Sequence, residues 1–418
     1  MVCRQVIAKG RQVHVNAVSS EENGSAQRPA RPRNRKEVIL RTATEHFLRN
    51  GYHRTSMVDI AATIGITSTA LYRHFTNKAE LLTRSVLNGL DEIIAGIART
   101  ESLDELIDSL ALGALTHRGM SALWQREFRY LSQETQALVM RKLVGAAATA
   151  QAAIQRARPE LSHDDAEFLG WCLLAVFESV SHHQVTLPEG DFLALLRAVG
   201  HQVAASELPT GSDGRGQDFA IDPVIPLPHD TSGTSRRDRL IAAAALLFSE
   251  RGYAAVSIDD IGAAVGITGP SVYYHFRRKS DLLAEIVDLA AAATEHYTAA
   301  AIDNAESPVD SLERMLRYYI SFAFTHRDLV RVAVSELTHL PADVAAGHRM
   351  RQREGIMTWA RTLRAVRPDL DVDAARVVVQ AAIMIVNDVV RLPGLMWRTQ
   401  LHDDLFVVGM AAHVTQRT

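Results

Sequence analysis

From Thr55 to Phe75 the chain reads TSMVDIAATIGITSTALYRHF, and from Val256 to Phe276 it reads VSIDDIGAAVGITGPSVYYHF. In each stretch apolar residues recur at helical spacing, Ile60 with Ile64 and Ile261 with Val265, until a glycine breaks the run and a second short segment begins. The pattern predicts two short helices joined by a tight turn, a helix-turn-helix written twice. Gly65 and Gly266 stand where the chain reverses, a place that favours positive φ. Ser56 and Ser257 precede the first short helix, and Thr67 and Thr268 the second, each with a hydroxyl able to accept from an early helical amide. Such capped starts also present N–H groups to phosphate, so the geometry suits DNA.

The repetition is wider than the motif. Residues 35–82 align without gaps on 236–283, with 18 of 48 pairs identical, among them Phe47/Phe248, Gly51/Gly252, Tyr52/Tyr253, His74/His275 and Lys78/Lys279. Further on, at an offset of 209, Thr116-His117-Arg118 matches Thr325-His326-Arg327, Glu127 matches Glu336, and Arg158-Pro159 matches Arg367-Pro368. A whole domain was duplicated. A first helix is expected from about Arg35 to Asn50, closed by Gly51, and its copy from Arg236 to Arg251, closed by Gly252. A long helix starts near Lys78 and again near Lys279, and the rest of each half is apolar-periodic segments broken by Gly, Pro and polar loops. The chain therefore divides into an arm (1–34), a first domain (35–205, head 35–82 and bundle 83–205), a linker (206–234) and a second domain (235–418, head 236–283 and bundle 284–418). The fold class is all-α, two tandem domains. The linker holds prolines, glycines and the apolar Phe219, Ile221, Val224, Ile225 and Leu227. It spans ~30 Å as a flexible coil and up to ~100 Å extended.

Composition narrows the class. At 418 residues, 47% apolar and 22% charged, the chain has room for more than one ordinary core. Cys3 and Cys172 are too few for a disulfide framework or a cysteine metal site, which fits a reducing cytoplasm. The continuous apolar runs, such as 168–177, fall short of a membrane span, and no secretory leader is visible at the N-terminus. Net charge is −3, yet residues 1–41 carry Arg4, Lys9, Arg11, Arg28, Arg31, Arg33, Arg35, Lys36 and Arg41 against Glu21, Glu22 and Glu37. A basic arm ahead of a DNA-reading helix can enter an adjacent groove, a reading kept for Arg28 to Lys36; for residues 1–27 a solvated tail serves equally well.

The sequence F-x-x-x-G-Y, then the motif with G-I-T, then L-Y-R-H-F or V-Y-Y-H-F and a lysine three residues on, resembles the TetR family of bacterial transcription regulators. The resemblance implies two tandem TetR-like domains, each with an N-terminal head and a helical effector bundle. It implies that Thr67, Ser68, Thr69, Ala70 and Arg73 face bases or nearby phosphates in the first head, and Thr268, Gly269, Pro270, Ser271 and Tyr274 in the second. It gives Tyr72, His74, Lys78, Tyr273, His275 and Lys279 to phosphate, with Ser56, Ser257, Arg33 and Arg35 beside them, while Phe75 and Phe276 look structural. For Tyr72 and Tyr273 core packing is the competing reading, and for the lysines a solvated surface charge. Because the two readers differ, one chain is expected to act as a pseudodimer on an asymmetric operator, with association of two chains left open. The seam expected by resemblance joins 163–182 and 191–205 to 372–392 and 403–416.

Glu127 and Glu336 each lie on an apolar helical face, where a carboxylate needs a partner. Two readings stand: a buried pair with an Arg or His, or a polar group orienting an apolar effector. Trp124, Phe128, Tyr130 and Trp171 in the first half, and Tyr318, Phe322, Phe324 and Trp359 in the second, are candidate pocket walls or plain core. The tandem layout with this short segment also resembles double-domain actinobacterial regulators of lipid transport and degradation, implying a lipid, sterol-like or acyl-CoA effector. Repression is the family's usual mode, and activation by the same fold is the alternative. No G-x-S-x-G, P-loop, dinucleotide-binding or H-E-x-x-H motif is present, so no enzyme and no cofactor are expected. His182, His183 and His201 prompt a metal sensor, but with no clear ligand spacing no metal is expected.

Overall fold

The computed structural model describes residues 35–209, 235–396 and 398–413. The arm with Arg33, most of the linker and the tail beyond 413 lie outside the described residues, as do the expectations placed on them. Among the described residues every regular element is helical. The first half runs α1 (Arg35–Arg54), α2 (Met57–Ile64), α3 (Ser68–Tyr72), α4 (Lys78–Ile97), α5 (Leu103–Thr116), α6 (Met120–Glu127), α7 (Gln133–Ala157), α8 (His163–Glu178) and α9 (Glu189–Ala204). The second repeats the order as α10 (Arg236–Arg251), α11 (Ile258–Ala264), α12 (Gly269–Val272), α13 (Lys279–Asp303), α14 (Pro308–Thr325), α15 (Arg327–Ser335), α16 (Ala342–Val366), α17 (Val372–Val389) and α18 (Leu401–His413).

The heads form where local chemistry asks for them. Gly65 and Gly266 adopt φ of 73° and 75°, closing α2 and α11. Ser56 accepts from the Asp59 amide, Ser257 from Asp260, and Thr67 from Ala70. Thr268 departs from the expectation: it makes no cap bond, and its hydroxyl meets that of Ser271 at 2.9 Å. Gly252 ends α10 with φ 82°, as its position implied. In the first head the helix is broken at Gly51 (φ 78°, ψ 164°), yet another turn winds on to Arg54. Ile39, Phe47, Ile60, Leu71 and Phe75 fill one head core, and Leu240, Phe248, Ile261, Val272 and Phe276 the other. Phe75 and Phe276 are therefore structural, each with a cation of the first helix over its ring, Lys36 at 5.7 Å and Arg237 at 4.3 Å.

In the bundles α7 packs on α8, and α16 on α17. Helix α7 corrects the search for membrane spans: by length and composition it is apolar enough to cross a bilayer. A search for unbroken apolar runs passes over it because Arg141 and Lys142 interrupt the run. The halves then join along a seam of α8 with α17 and α9 with α18, the helices expected to pair. Phe168, Val176, Leu196, Ile385 and Leu405 are buried there. A charged tie crosses it: Arg398 donates to Asp165 at 2.7 Å, to Asp404 at 2.8 Å and to the Asp164 carbonyl at 3.0 Å, stacked over Phe168. So many partners offset the cost of taking a guanidinium out of water.

His182 and His183 are taken into the protein, and burial pushes both down to about 3. His201 lies half in solvent, 3.7 Å from Asp104. His339 and His413 are likewise held down at about 4, chiefly by burial. These buried imidazoles stay neutral in the folded chain while those of an unfolded chain charge below about 6.5. Their share of stability is whole above that pH and is lost as pH falls toward 4. The thermal midpoint should therefore drop between pH 6.5 and 4, and less steeply in His339→Gln, as scanning calorimetry across that range will show.

Candidate nucleic-acid interface and effector cavity

The second short helix of each motif offers a real surface. Tyr72 and Tyr273 are 51% and 53% exposed and Tyr274 is 90% exposed, so none of them is core. Thr67, Thr69, Arg73 and His74 are exposed around Tyr72, with Ser68, Ala70 and Arg35 half-buried. In the second head Thr268 and Pro270 are exposed, and Ser271 and His275 half-buried. Phenol, imidazole and guanidinium groups on such a face can donate to phosphates and base edges. Gly269 does not belong to it. It is buried, and a Cβ there would lie 1.8 Å from the Asp259 carboxylate, so the glycine lets α12 pack against α11. The Ser56 and Ser257 hydroxyls are likewise engaged inside the head, donating to Asp59 and Asp260 at 2.6 Å while accepting the same residues' amides.

Lys78 and Lys279 are also corrected. The Lys78 ammonium donates to the carbonyls of Tyr52 (2.8 Å), Thr55 (2.9 Å) and His53 (3.4 Å), over the Tyr52 ring. Lys279 donates to Tyr253 (2.6 Å) and Val256 (2.7 Å) in the same pose. Burial lowers the pKa of both. An ammonium has three donors, and at Lys78 all three serve the frayed end of the first helix. These are clamps, not phosphate hands.

The two buried carboxylates complete that clamp. Glu127 and Glu336 are each 2% exposed, and each accepts the amide that follows the positive-φ glycine, Tyr52 at 3.2 Å and Tyr253 at 3.4 Å. Both carboxylates are paired with arginines, and neither lines the large cavity. Glu127 is paired by its neighbour Arg126 at 2.7 Å, which also donates to the carbonyls of Leu48 and Phe47. At the position of Arg126 the second half has Ser335, and Glu336 takes Arg129 from the first half at 2.5 Å. Both carboxylates, with Tyr130, face a polar cleft of about 180 Å³ between the halves. Tyr52 stacks on Tyr130 and Tyr253 on His339, and burial pushes Tyr130 up to about 12.

The larger cavity, about 710 Å³, lies elsewhere. Trp124, Phe128 and Trp171 line it as expected, with Ile93, Leu110 and Leu174. Phe322 and Trp359 do not: both are core, Trp359 donating to Thr298 at 3.2 Å. They occupy the places that Gly113 and Ala150 hold in the first half, and neither of those lines the cavity. The cavity is closed by the second half, through Ser249 on α10, Arg331 and Val334 on α15, Asp388 on α17 and Arg391 just beyond it. Its polar end carries Glu178 and Asp388, both pushed up chiefly by burial; Gln125 donates to the former and Arg391 to the latter.

A family model described as bacterial regulatory proteins of the tetR family matches residues 39–84 and 240–286. The transcriptional repressor KstR2 of Mycolicibacterium smegmatis is 32% identical over 152 residues, 33% of this chain and 71% of that protein. The chain belongs to the TetR family. The transcriptional regulator TtgR of Pseudomonas putida is 38% identical over 72 residues, 17% of this chain and 34% of its own length. Among solved structures, the ketosteroid transcriptional regulator KstR2 of Mycobacterium tuberculosis aligns with a TM-score of 0.36 at 24% identity, over 43% of this chain and 91% of that one. With a TetR head in each half, the chain is a sequence-specific DNA-binding transcription regulator.

What the sequence reading missed in this TetR protein is the set of cations that fix the heads. Arg126 and Arg129 stood beside a recognised glutamate, and the offset of 209 already showed that Ser335 and Thr338 replace them. Gly252 is demanded twice, by its φ of 82° and because a Cβ would lie 1.8 Å from the Arg129 guanidinium; at Gly51 the nearest atom is 3.8 Å away. Gly51→Ala should cost about 1–3 kcal/mol for the backbone alone. Gly252→Ala should cost more, by displacing Arg129 from Glu336, and chemical denaturation of the two variants will rank them. Lys78→Met should destabilise the DNA-free protein by roughly 1.5–3 kcal/mol, which a residue serving phosphate alone does not do.

Proposed function

We propose that this chain is a ligand-responsive transcriptional repressor that sits on an asymmetric operator as a single-chain pseudodimer and controls lipid-related genes. The observation that carries the reading is that two heads with unlike exposed faces share one seam. Around Tyr72 the first offers Thr69, Arg73 and His74; around Tyr273 the second offers Pro270 and Tyr274. Pairing within the chain is favoured because a linker holds its partner at an effective concentration of about mM.

The response to ligand follows from shared walls. Ser249 and Glu250, at the end of the second head's α10, border the same cavity as Trp124 and Arg126, beside the first head's clamp. A ligand that binds one spacing of the heads better than the other shifts the population toward it. The lipid assignment draws on the apolar cavity and on the ketosteroid regulator KstR2 among the relatives. Neither α7, despite its composition, nor any other described element calls for a membrane, since α7 is packed against α8.

A footprint on the upstream DNA, with stoichiometry, tests the reading. One chain should protect two unlike half-sites. Arg73→Ala should weaken only the first and Tyr274→Ala only the second, each by roughly 1–3 kcal/mol. A perfect palindrome bound by two chains sinks the pseudodimer.

A further inference from the structure

The charges around the large cavity are nearly all engaged. Arg126 pairs with Glu127, Arg129 with Glu336, Arg391 with Asp388, and His117 with Glu92; Glu178 accepts from Gln125. The exceptions among the described wall groups are Glu250, Arg349 and Arg331. The Arg331 side chain lines the cavity and is exposed, and among the described residues none accepts a hydrogen bond from it and no carboxylate lies within 4.0 Å. Burial by the surrounding protein lowers its pKa, Arg129 and Arg391 add to that effect, and Asp328 and Glu336 offset it from farther off. Two more cavity-wall groups, Glu250 and Arg349, are exposed. The opposite wall is apolar, built by Ile93, Ile97, Leu110, Trp124, Trp171 and Leu174.

We propose that this cavity holds one amphipathic carboxylate per chain, its chain or ring body on the apolar wall of the first half and its anionic head on Arg331 of the second. A guanidinium fork matches a carboxylate bidentately. Arg331 and Arg349 against Glu250 leave one net positive charge among the unpaired wall groups, so a monoanion fits the balance and a phosphate monoester overshoots it. The size lies in the roughly 300–1,000 Å³ range of small-molecule sites. One site per chain is expected because Arg331 stands at the position that Ala122 holds in the first half, so the pseudo-symmetric place between the halves lacks the guanidinium. The inference deepens the ligand-responsive reading by naming the class of ligand and the residue that selects it.

Fluorescence of Trp124 and Trp171 reports binding in the full-length chain, without DNA. The probes are hexadecanoate and lithocholate, each against its methyl ester, with hexadecyl phosphate as a further arm. At least one acid should bind one per chain and beat its ester by about tenfold or more. Arg331→Gln should abolish that preference, and Arg331→Lys should restore part of it. Arg331 makes no internal bond, so both variants are expected to fold with the thermal midpoint of the parent. Failure of both acids to bind, or a preference that survives in Arg331→Gln, overturns the proposal; tighter binding of hexadecyl phosphate than of hexadecanoate overturns the carboxylate assignment. Operator release is measured separately: an acid that binds through Arg331 and leaves DNA affinity unchanged supports the site and removes the ligand-responsive reading.

Discussion

In each head the turn that ends the first helix is tied to the bundle by a hydrogen bond from its backbone to a buried carboxylate. A glycine at positive φ turns the chain at the end of the first helix, and the next amide, of Tyr52 or Tyr253, points at a buried carboxylate. The lysine that opens the long fourth helix gathers the neighbouring carbonyls. Donor and acceptor ends of one short turn are thus both satisfied, which a buried backbone requires. The carboxylate belongs to the segment whose other residues, Trp124 and Gln125, face the large cavity. Cavity and head are neighbours through one helix of two turns, with no long path between them.

The two copies solve the same electrostatic problem differently. In the first half the counter-charge is adjacent in sequence, Arg126 beside Glu127. In the second it arrives from the other half, Arg129 to Glu336. Removing a partner from a buried pair leaves an uncompensated charge, far costlier than losing a surface pair. The polar cleft between the halves is therefore a structural joint, and its aromatic stack of Tyr52, Tyr130, His339 and Tyr253 follows the same line.

The heads were legible because their signals are local. The Gly65 and Gly266 turns, the Ser56, Ser257 and Thr67 caps and the bounds of α10 each follow from a few adjacent residues. The seam was legible through the resemblance to the TetR family, which implies which helices pair. What escaped depends on contacts distant in sequence. Lys78 gives no sign along the chain that it will turn inward to Tyr52, and Gly269 looks like a base-facing residue until Asp259 is seen behind it. Phe322 and Trp359 were misplaced for another reason: a large ring on a helix face reads the same whether it walls a cavity or fills one. Burial by distant residues decides between the two, and here it makes both rings core.

The borrowed Arg129 also bears on how such a gene can change. Two copies of the second half, joined to each other, put Thr338 where Arg129 stands and take from Glu336 its guanidinium partner, with the His339 imidazole beside it at 3.5 Å. Two copies of the first bring Arg129 to a Glu127 that its own Arg126 already neutralises. The dependence therefore runs one way: the second half borrows its guanidinium from the first, and the first neutralises its own carboxylate.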